Sequence, residues 1–334
     1  MNIGDEIDLV IEKLTNTGLG LSHYDGIVVF VPNVCPEDKI KAKISKITKN
    51  YLNAELVKII QPSPHRVEAV CPMQKICGAC QLQFIDYDYQ LELKTQIVSE
   101  TMNKIAGLDL DIPKVIPSPQ TINYRHKIQY PISQTKNSKR ILAGYYKTGT
   151  HEIVNLKYCP IQPQICDEII EFIRQKAFDY GISGFEEKKH TGDLRHVVIR
   201  NSVSTGENLV VLVVNATKTF DRMNDFAKAI YDRFDEVCGV CINYNSKMTN
   251  VIMGKKTELV CGSEFIKEKI LDKTFYIGAQ TFFQVNPKSA ENIFKYVKDY
   301  IQTNHKDSLV LDAYAGISAF GILVSDVCNK VVTI

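Results

Sequence analysis

Leu309-Val-Leu-Asp-Ala-Tyr-Ala-Gly316 is the stretch that settles the architecture: an apolar run, one acid, then a turn of small residues ending in glycine. A continuous apolar run predicts a strand buried on both faces. The turn leads into Ile317 to Val327, which reads as a helix, and Lys330 to Ile334 reads as a second strand. Strand, turn, helix and strand are the beginning of a doubly wound α/β domain, where a nucleotide-like ligand sits as the first strand gives way to its helix. Just upstream, Asn286-Pro287 starts a helix with an Asn cap and Pro at its first position, and Ile293, Val297 and Tyr300 form its expected buried stripe.

Further out the pattern is α+β. Ile165, Ile169, Ile173 and Ala177 predict a helix stopped by Gly181, and Met223 to Phe234 predict another. Leu194 to Arg200 and Leu209 to Asn215 form a hairpin over Ser204-Thr-Gly206. Cys238-Gly-Val-Cys241 resembles a redox or metal pair, but residues three apart in a strand face opposite sides, so it reads as core. Tyr124 to Ile132 and Ile141 to Lys147 predict a hairpin around a basic turn. Tyr87 to Ile105 is a helix, with Leu91, Val98, Met102 and Ile105 on one stripe and Gly107 as its stop.

Residues 1 to about 60 read as a small all-β barrel with strands at Glu6 to Leu14, Gly26 to Pro32, Lys39 to Ile47 and Tyr51 to Ile60, separated by turns at Gly18 to Gly20 and Tyr24 to Gly26. In the third strand Lys39, Lys41 and Lys43 face one way, and Ile40, Ala42 and Ile44 the other. That cationic face either tracks phosphates or guards a sheet edge. Gln61-Pro-Ser-Pro-His65 is a stiff linker expected to hold the barrel at a distance.

The linker leads into Cys71-Pro-Met-Gln-Lys-Ile-Cys77-Gly-Ala-Cys80, whose fourth partner stands far downstream in Tyr158-Cys159-Pro160. Three readings compete. Thiols often pack simply as small hydrophobes. A structural zinc usually takes two short-spaced ligand pairs, whereas here three cluster and one arrives alone. Three plus one suits a cubane iron–sulfur cluster, whose corners need one thiolate each, and that reading leads.

Composition bounds the rest. The chain has 334 residues, 45% hydrophobic and 23% charged, enough for two or three domains. Ten cysteines in that length do not make a disulfide scaffold, the start Met1 to Glu6 is acidic where a signal peptide is basic, and no apolar run nears a membrane span. The expected compartment is the reducing cytoplasm. A net charge of +2 argues against a protein coated in positive charge. The distribution matters more: Lys39 to Lys49 contains no acid, and Arg125-His-Lys127 and Lys136 to Arg140 are further basic knots.

In order along the chain, Asp25-Gly-Ile-Val-Val-Phe-Val-Pro32, Pro62-Ser-Pro-His-Arg66, the cysteine loop, Asn123-Tyr-Arg125, Gly144-Tyr-Tyr, Tyr158-Cys-Pro160, Leu194-Arg-His-Val-Val-Ile-Arg200, Phe283-Gln-Val-Asn286 and Val310-Leu-Asp-Ala-Tyr314 resemble bacterial RNA uracil-5-methyltransferases. The likeness is to the ribosomal-RNA branch, with its TRAM barrel and iron–sulfur cluster, and spans nearly the whole chain. It implies an α/β multidomain protein: a TRAM-like barrel at 1–60, a central α+β domain with the cluster loop at 61–272, and the start of a Rossmann-like methyltransferase domain at 273–334.

The resemblance further implies S-adenosylmethionine and a 4Fe–4S cluster as cofactors, with Cys71, Cys77, Cys80 and Cys159 as cluster ligands. Gln284 would reach the methionine part of S-adenosylmethionine, and Tyr314 and Gly316 would line its adenosine pocket. RNA, ribosomal rather than transfer, would be the partner of a monomer through Lys41, Lys43, Arg125 and Lys127. The family adds a cysteine thiolate to carbon 6 of uracil and removes the carbon 5 proton with a base. Neither residue is found before Ile334, so no catalytic residue is assigned and the 334-residue chain is expected to be inactive. Ser318 and Ala319 depart from the family turn and favour the alternative, a non-catalytic RNA-binding iron–sulfur protein.

Overall fold

The computed structural model describes every residue from Met1 to Ile334. By packing, the chain divides into two compact units, Met1–Pro117 and Ser118–Ile334. No helix is long and apolar enough to cross a membrane.

In the first unit, β1 (Glu6–Val10), β2 (Lys13–Leu14), β3 (Gly20–Tyr24), β4 (Ile27–Val31), β5 (Lys39–Ile47) and β6 (Tyr51–Gln61) form one sheet in the order β1-β5-β6-β4-β3-β2. The expected alternation holds in β5, where Ile40, Ala42 and Ile44 are buried with Ile7, Leu9, Val29, Val31 and Leu52. β3 occupies the interval read from sequence as two turns. Its inward residues are Gly20 and Ser22, which carry no apolar signal. A larger residue at 20 would run into the Val34 side chain, and Ser22 Oγ donates to Val10 O (2.7 Å), tying β3 to β1 so that the sheet curls over its core.

The proline linker does not keep its distance. Asp38 is fully buried and accepts from Ser63 N (2.9 Å), Cys35 N (2.6 Å), and Arg66 Nε and Nη2 (2.8 and 2.7 Å), which pins the linker to the sheet. Beyond the cysteine loop, α1 (Tyr87–Lys104) is capped by Asp86, whose Oδ1 accepts from Asp88 N and Tyr89 N. The predicted stripe is wrong here. Leu93 is the buried residue, packed with Leu14, Cys35, Phe84 and Ile85, while Val98, Met102 and Ile105 are exposed. Gly107 ends the helix as expected, in the left-handed region at φ +67° and with its N–H on Asn103 O.

The second unit contains β7 (Lys127–Gln134), β8 (Ile141–Ala143), α2 (Gln164–Lys176), β9 (Leu194–Asn201), β10 (Asn208–Val214), α3 (Asp221–Arg233), β11 (Val237–Tyr244) and β12 (Lys256–Gly262). Its sheet runs β12-β11-β10-β9-β7-β8, with only β10 and β11 parallel. Every residue of the apolar β10 is buried, as its central place requires. Both predicted hairpins form. Cys238 and Cys241 belong to the core, though the facing argument fails: an extra residue in β11 shifts its register against β10, and both thiols pack on the same cluster.

The hairpin of β13 (Phe265–Ile270) and β14 (Lys273–Gly278) covers that cluster together with α4 (Pro287–Asn304). Asn286 caps α4 through Ser289 N (3.1 Å), with Pro287 first in the helix, as read. The buried stripe is Ala290, Phe294 and Ile301, one residue off the expected one, so Ile293 and Tyr300 are exposed. Then β15 (Leu309–Asp312), α5 (Ala319–Val324) and β16 (Lys330–Thr333) give the predicted strand, helix and parallel strand. α5 is shorter than expected because Ser318 is left-handed at φ +55°. The expectation that β15 is buried fails: Leu309 is 65% and Leu311 58% exposed.

Candidate functional site

A small cavity in the second unit gathers residues that the sequence holds far apart. It is lined by His126 and Lys127 at the start of β7, Arg200 and Asn201 at the end of β9, Glu268 of β13, and Gln284 before α4. β7 and β9 pair antiparallel with Lys127 opposite Arg200, so their alternating faces put two like charges side by side. Arg200 is buried and donates to the carbonyl oxygens of Ala279 (3.2 and 3.1 Å) and Thr281. Burial lowers its pKa to about 10.

Burial lowers Lys127 as well, to about 8, and Arg200 and Arg125 push in the same direction. His126 is also lowered by burial, although Asn201 Oδ1 meets its Nδ1 at 2.6 Å. The nearby acid Glu268 is engaged elsewhere, accepting from Val203 N (2.8 Å) and Ser204 N (3.0 Å). The result is a half-enclosed site with an uncompensated ammonium, a place where an anion is stabilised.

The strand-to-helix turn is set apart from this cavity's lining. Asp312 Oδ2 accepts from Gly321 N (2.9 Å), and Ala315 N donates to Ile334 O (2.9 Å), so the turn is braced on both sides. Tyr314 is left-handed at φ +59° and 99% exposed, and Gly316 at φ +57° has open space where a Cβ would stand. Of the three expected cofactor residues, the structure puts Gln284 with Lys127 and Arg200 and puts Tyr314 and Gly316 on this open turn.

The cysteine loop is a series of tight turns in the first unit. Gln74 N donates to Cys71 O (3.1 Å), and Ile76 N and Cys77 N both donate to Met73 O (3.0 and 2.8 Å). Cys71 and Cys77 are buried and Cys80 is half-buried. Burial pushes the Cys77 thiol up, with nearby Cys71 adding to it. Cys159 lies in the second unit, buried, its N–H on Asp167 Oδ2 (3.3 Å). None of the ten cysteines is in a disulfide, and no three His, Cys, Asp or Glu side chains converge as a metal site. The donor chemistry of soft thiols suits an iron–sulfur or zinc centre, whose charge would stabilise the thiolates that burial disfavours.

The expected RNA contacts fall in both units, Lys41 and Lys43 in the first and Arg125 and Lys127 in the second. Lys41 pairs with Asp8 of the adjacent strand (3.0 Å), while exposed Lys43 lies opposite Glu6. Arg125 is half-buried, with its guanidinium 5.8 Å from the Tyr145 ring and its buried Nε without a partner. Lys127 is the expected contact that lines the cavity, and sequence reasoning missed its neighbour Arg200 as a site residue. The signal was present in Leu194 to Arg200, where Arg195 and Arg200 are charges in a buried strand with Leu194, Val197, Val198 and Ile199.

Comparisons with known proteins agree in kind. The TRAM domain family matches residues 2–57. An RNA methyltransferase of Oceanobacillus iheyensis is 34% identical over 99% of this chain and 71% of its own length. One from Bacillus cereus is 36% identical, over 97% and 70%. Among solved structures, the Pyrococcus abyssi tRNA (uracil-54, C5)-methyltransferase in complex with S-adenosyl-L-homocysteine is similar at TM-score 0.75 and 26% identity, over 98% of this chain and 72% of that one.

Proposed function

This chain belongs to the RNA methyltransferase family, and from that premise we propose that it serves the methylation of carbon 5 of a uracil in RNA. The observation that carries this reading is the similarity in fold, over 98% of the chain, to a uracil-C5 methyltransferase with a bound cofactor product. S-adenosylmethionine would supply the methyl group. Gln284 would hold its methionine part, with the positive charge of Lys127 and Arg200 nearby, and Tyr314 and Gly316 would meet its adenosine.

RNA phosphates would lie against Lys41, Lys43, Arg125 and Lys127. The sequence resemblance points to 23S ribosomal RNA, whereas the similar Pyrococcus protein acts on tRNA. Cys71, Cys77, Cys80 and Cys159 would hold the 4Fe–4S cluster, on the strength of their donor chemistry. The alternative, a non-catalytic RNA-binding iron–sulfur protein, is supported by Tyr314 and Gly316 standing on an open turn.

Titration with S-adenosylhomocysteine tests the cofactor site: Gln284→Ala is expected to weaken binding roughly tenfold, the loss of one or two hydrogen bonds. Competition between a 23S fragment and a tRNA transcript tests the partner, and a tighter tRNA complex would overturn the ribosomal assignment. No residue of 1–334 is assigned as the thiolate nucleophile, so labelled methyl appearing in 5-methyluridine would overturn the expected inactivity. Iron and sulfide after anaerobic purification, lost in Cys77→Ser, test the cluster. Stoichiometric zinc with no iron would sink it.

A further inference from the structure

Next to the Gln284 cavity, and sharing Lys127 with it, lies a larger open cleft whose construction differs. One wall is the outer face of β7, where Lys127 and Gln129 project together because strand residues two apart share a face. The opposite wall is the loop Val251 to Lys255, and Ala279 and Gln280 close the end. The lining therefore combines two ammonium groups, two amides, and an apolar surface from Ile252 and Met253. Phosphate is met by cations, a base edge by amides, and a base face by a flat apolar surface.

The loop wall is held in shape from beneath. Asn243 is buried and donates to Gly254 O (2.9 Å) and Lys256 O (3.1 Å), and its own Oδ1 accepts from Gly254 N (2.7 Å). Asn245, also buried, donates to Val251 O (2.7 Å) and Ile252 O (3.0 Å). Buried Arg195 lies over the Phe185 ring and donates to Asn245 O (2.6 Å) and Lys247 O (2.8 Å), fixing the start of the loop. Gln280 Nε2 reaches Gly254 O (2.7 Å) from the far side. Three buried polar side chains spent on the backbone of one surface loop make a preorganised wall rather than a flexible connection.

We propose that this cleft holds one unpaired nucleotide of the RNA substrate, beside the base that is methylated. Lys127 and Lys255 take its phosphate, Gln129 and the amide oxygen of Gln280 its base edge, and Met253 its ring face. This assignment rests on the RNA reading above and adds to it a second nucleotide subsite. Duplex RNA cannot use it, because a paired base offers neither its face nor its pairing edge. The charge balance agrees: Lys127 has Arg200 and Arg125 around it, and the acid that shares the adjoining cavity, Glu268, is held by Val203 N and Ser204 N, so a phosphate relieves the repulsion.

The test uses the full chain, a fluorescently labelled single-stranded oligouridylate, and a duplex RNA of equal length. Gln129→Ala is expected to weaken oligouridylate binding roughly tenfold and to leave the duplex unchanged, as losing a base contact does. Lys255→Ala should likewise weaken oligouridylate binding while leaving the duplex unchanged, and shallow the salt dependence of the oligouridylate complex by about one unit of slope. Both residues are partly or wholly exposed, so unchanged melting curves verify the fold. With 4-thiouridine in the oligomer, photo-crosslinks are expected at residues 251–256. Wild-type binding with unaltered affinity in both variants and crosslinks elsewhere would overturn the subsite while leaving the RNA reading intact. No binding of either RNA by the wild-type chain would overturn both.

Discussion

Gly254 sits where no side chain fits: a Cβ would overlap the Tyr244 carbonyl oxygen and crowd Asn245. Because backbone rather than a movable side chain stands in the way, Gly254→Ala is expected to cost about 3 kcal/mol, read as a fall in the urea midpoint, and to loosen the loop Val251 to Lys255. A loss below about 0.5 kcal/mol, the range of neutral surface changes, would show that the loop can move aside. His196 makes a second prediction. Burial, with Arg195 adding to it, pushes its pKa down to about 4, and its Nδ1 has no partner. A depressed histidine binds fewer protons folded than unfolded, so stability is full above pH ~6.5 and is lost as pH falls toward 4, by about 3 kcal/mol in all. Asp167, raised by burial to about 6, has the opposite sign and gains as pH falls through the same window. His196→Gln should therefore hold its urea midpoint better than wild type between about pH 6.5 and pH 4. Equal acid losses in the two proteins would mean that His196 is hydrated when folded.

At the scale of elements, β5 and α4 carry the informative cases. The alternation of Lys39, Lys41 and Lys43 with Ile40, Ala42 and Ile44 was legible because a half-buried strand repeats every two residues. The acids opposite were not, since Asp8 pairs with Lys41, and Glu6 stands opposite Lys43, only through strand pairing. Exposed ion pairs are weak, so phosphate can compete for these lysines. Lys41→Ala/Lys43→Ala is expected to shallow the salt dependence of RNA binding by about one unit per lysine. An unchanged slope would leave them as guards of a strand edge. The start of α4 was equally legible, as Asn286-Pro287 is a local signal. Asn286→Ala should cost about 1 kcal/mol in urea denaturation, the loss of an N-cap. A neutral result would mean that Ser118, which Asn286 Nδ2 also reaches (3.2 Å), takes over the cap.

For the molecule as a whole, stability is expected to be uneven. The six-stranded sheet of the second unit has β10 buried on both faces, whereas β15 and β16 form a two-stranded sheet with Leu309, Leu311 and Ile334 exposed. Two strands alone are marginal in water. α5 anchors them through Ala319 and Leu323, which join the core beneath β10 and α4. Hydrogen exchange should therefore reach the amides of β15 and β16 well before those of β9 to β11. Simultaneous exchange of both groups would show one cooperative unit.

What the sequence determined by itself was what depends on neighbours in the chain: strand alternation in β5, the cap of α4, the strand, turn and helix after Leu309, and the spacing of Cys71, Cys77 and Cys80. It also carried the family, because motifs in order survive as text. Tertiary structure alone decided the rest. Helix stripes in α1 and α4 shifted because a partner surface, not hydrophobicity alone, chooses the buried face. The linker was pinned by Asp38, a residue more than twenty positions away. The pairing of Lys127 with Arg200, and the clamp of Asn243, Asn245 and Arg195 under one loop, exist only through sheet register. Local propensity is written residue by residue, but which charges end side by side depends on contacts between distant segments, and those are made when the chain closes on its core.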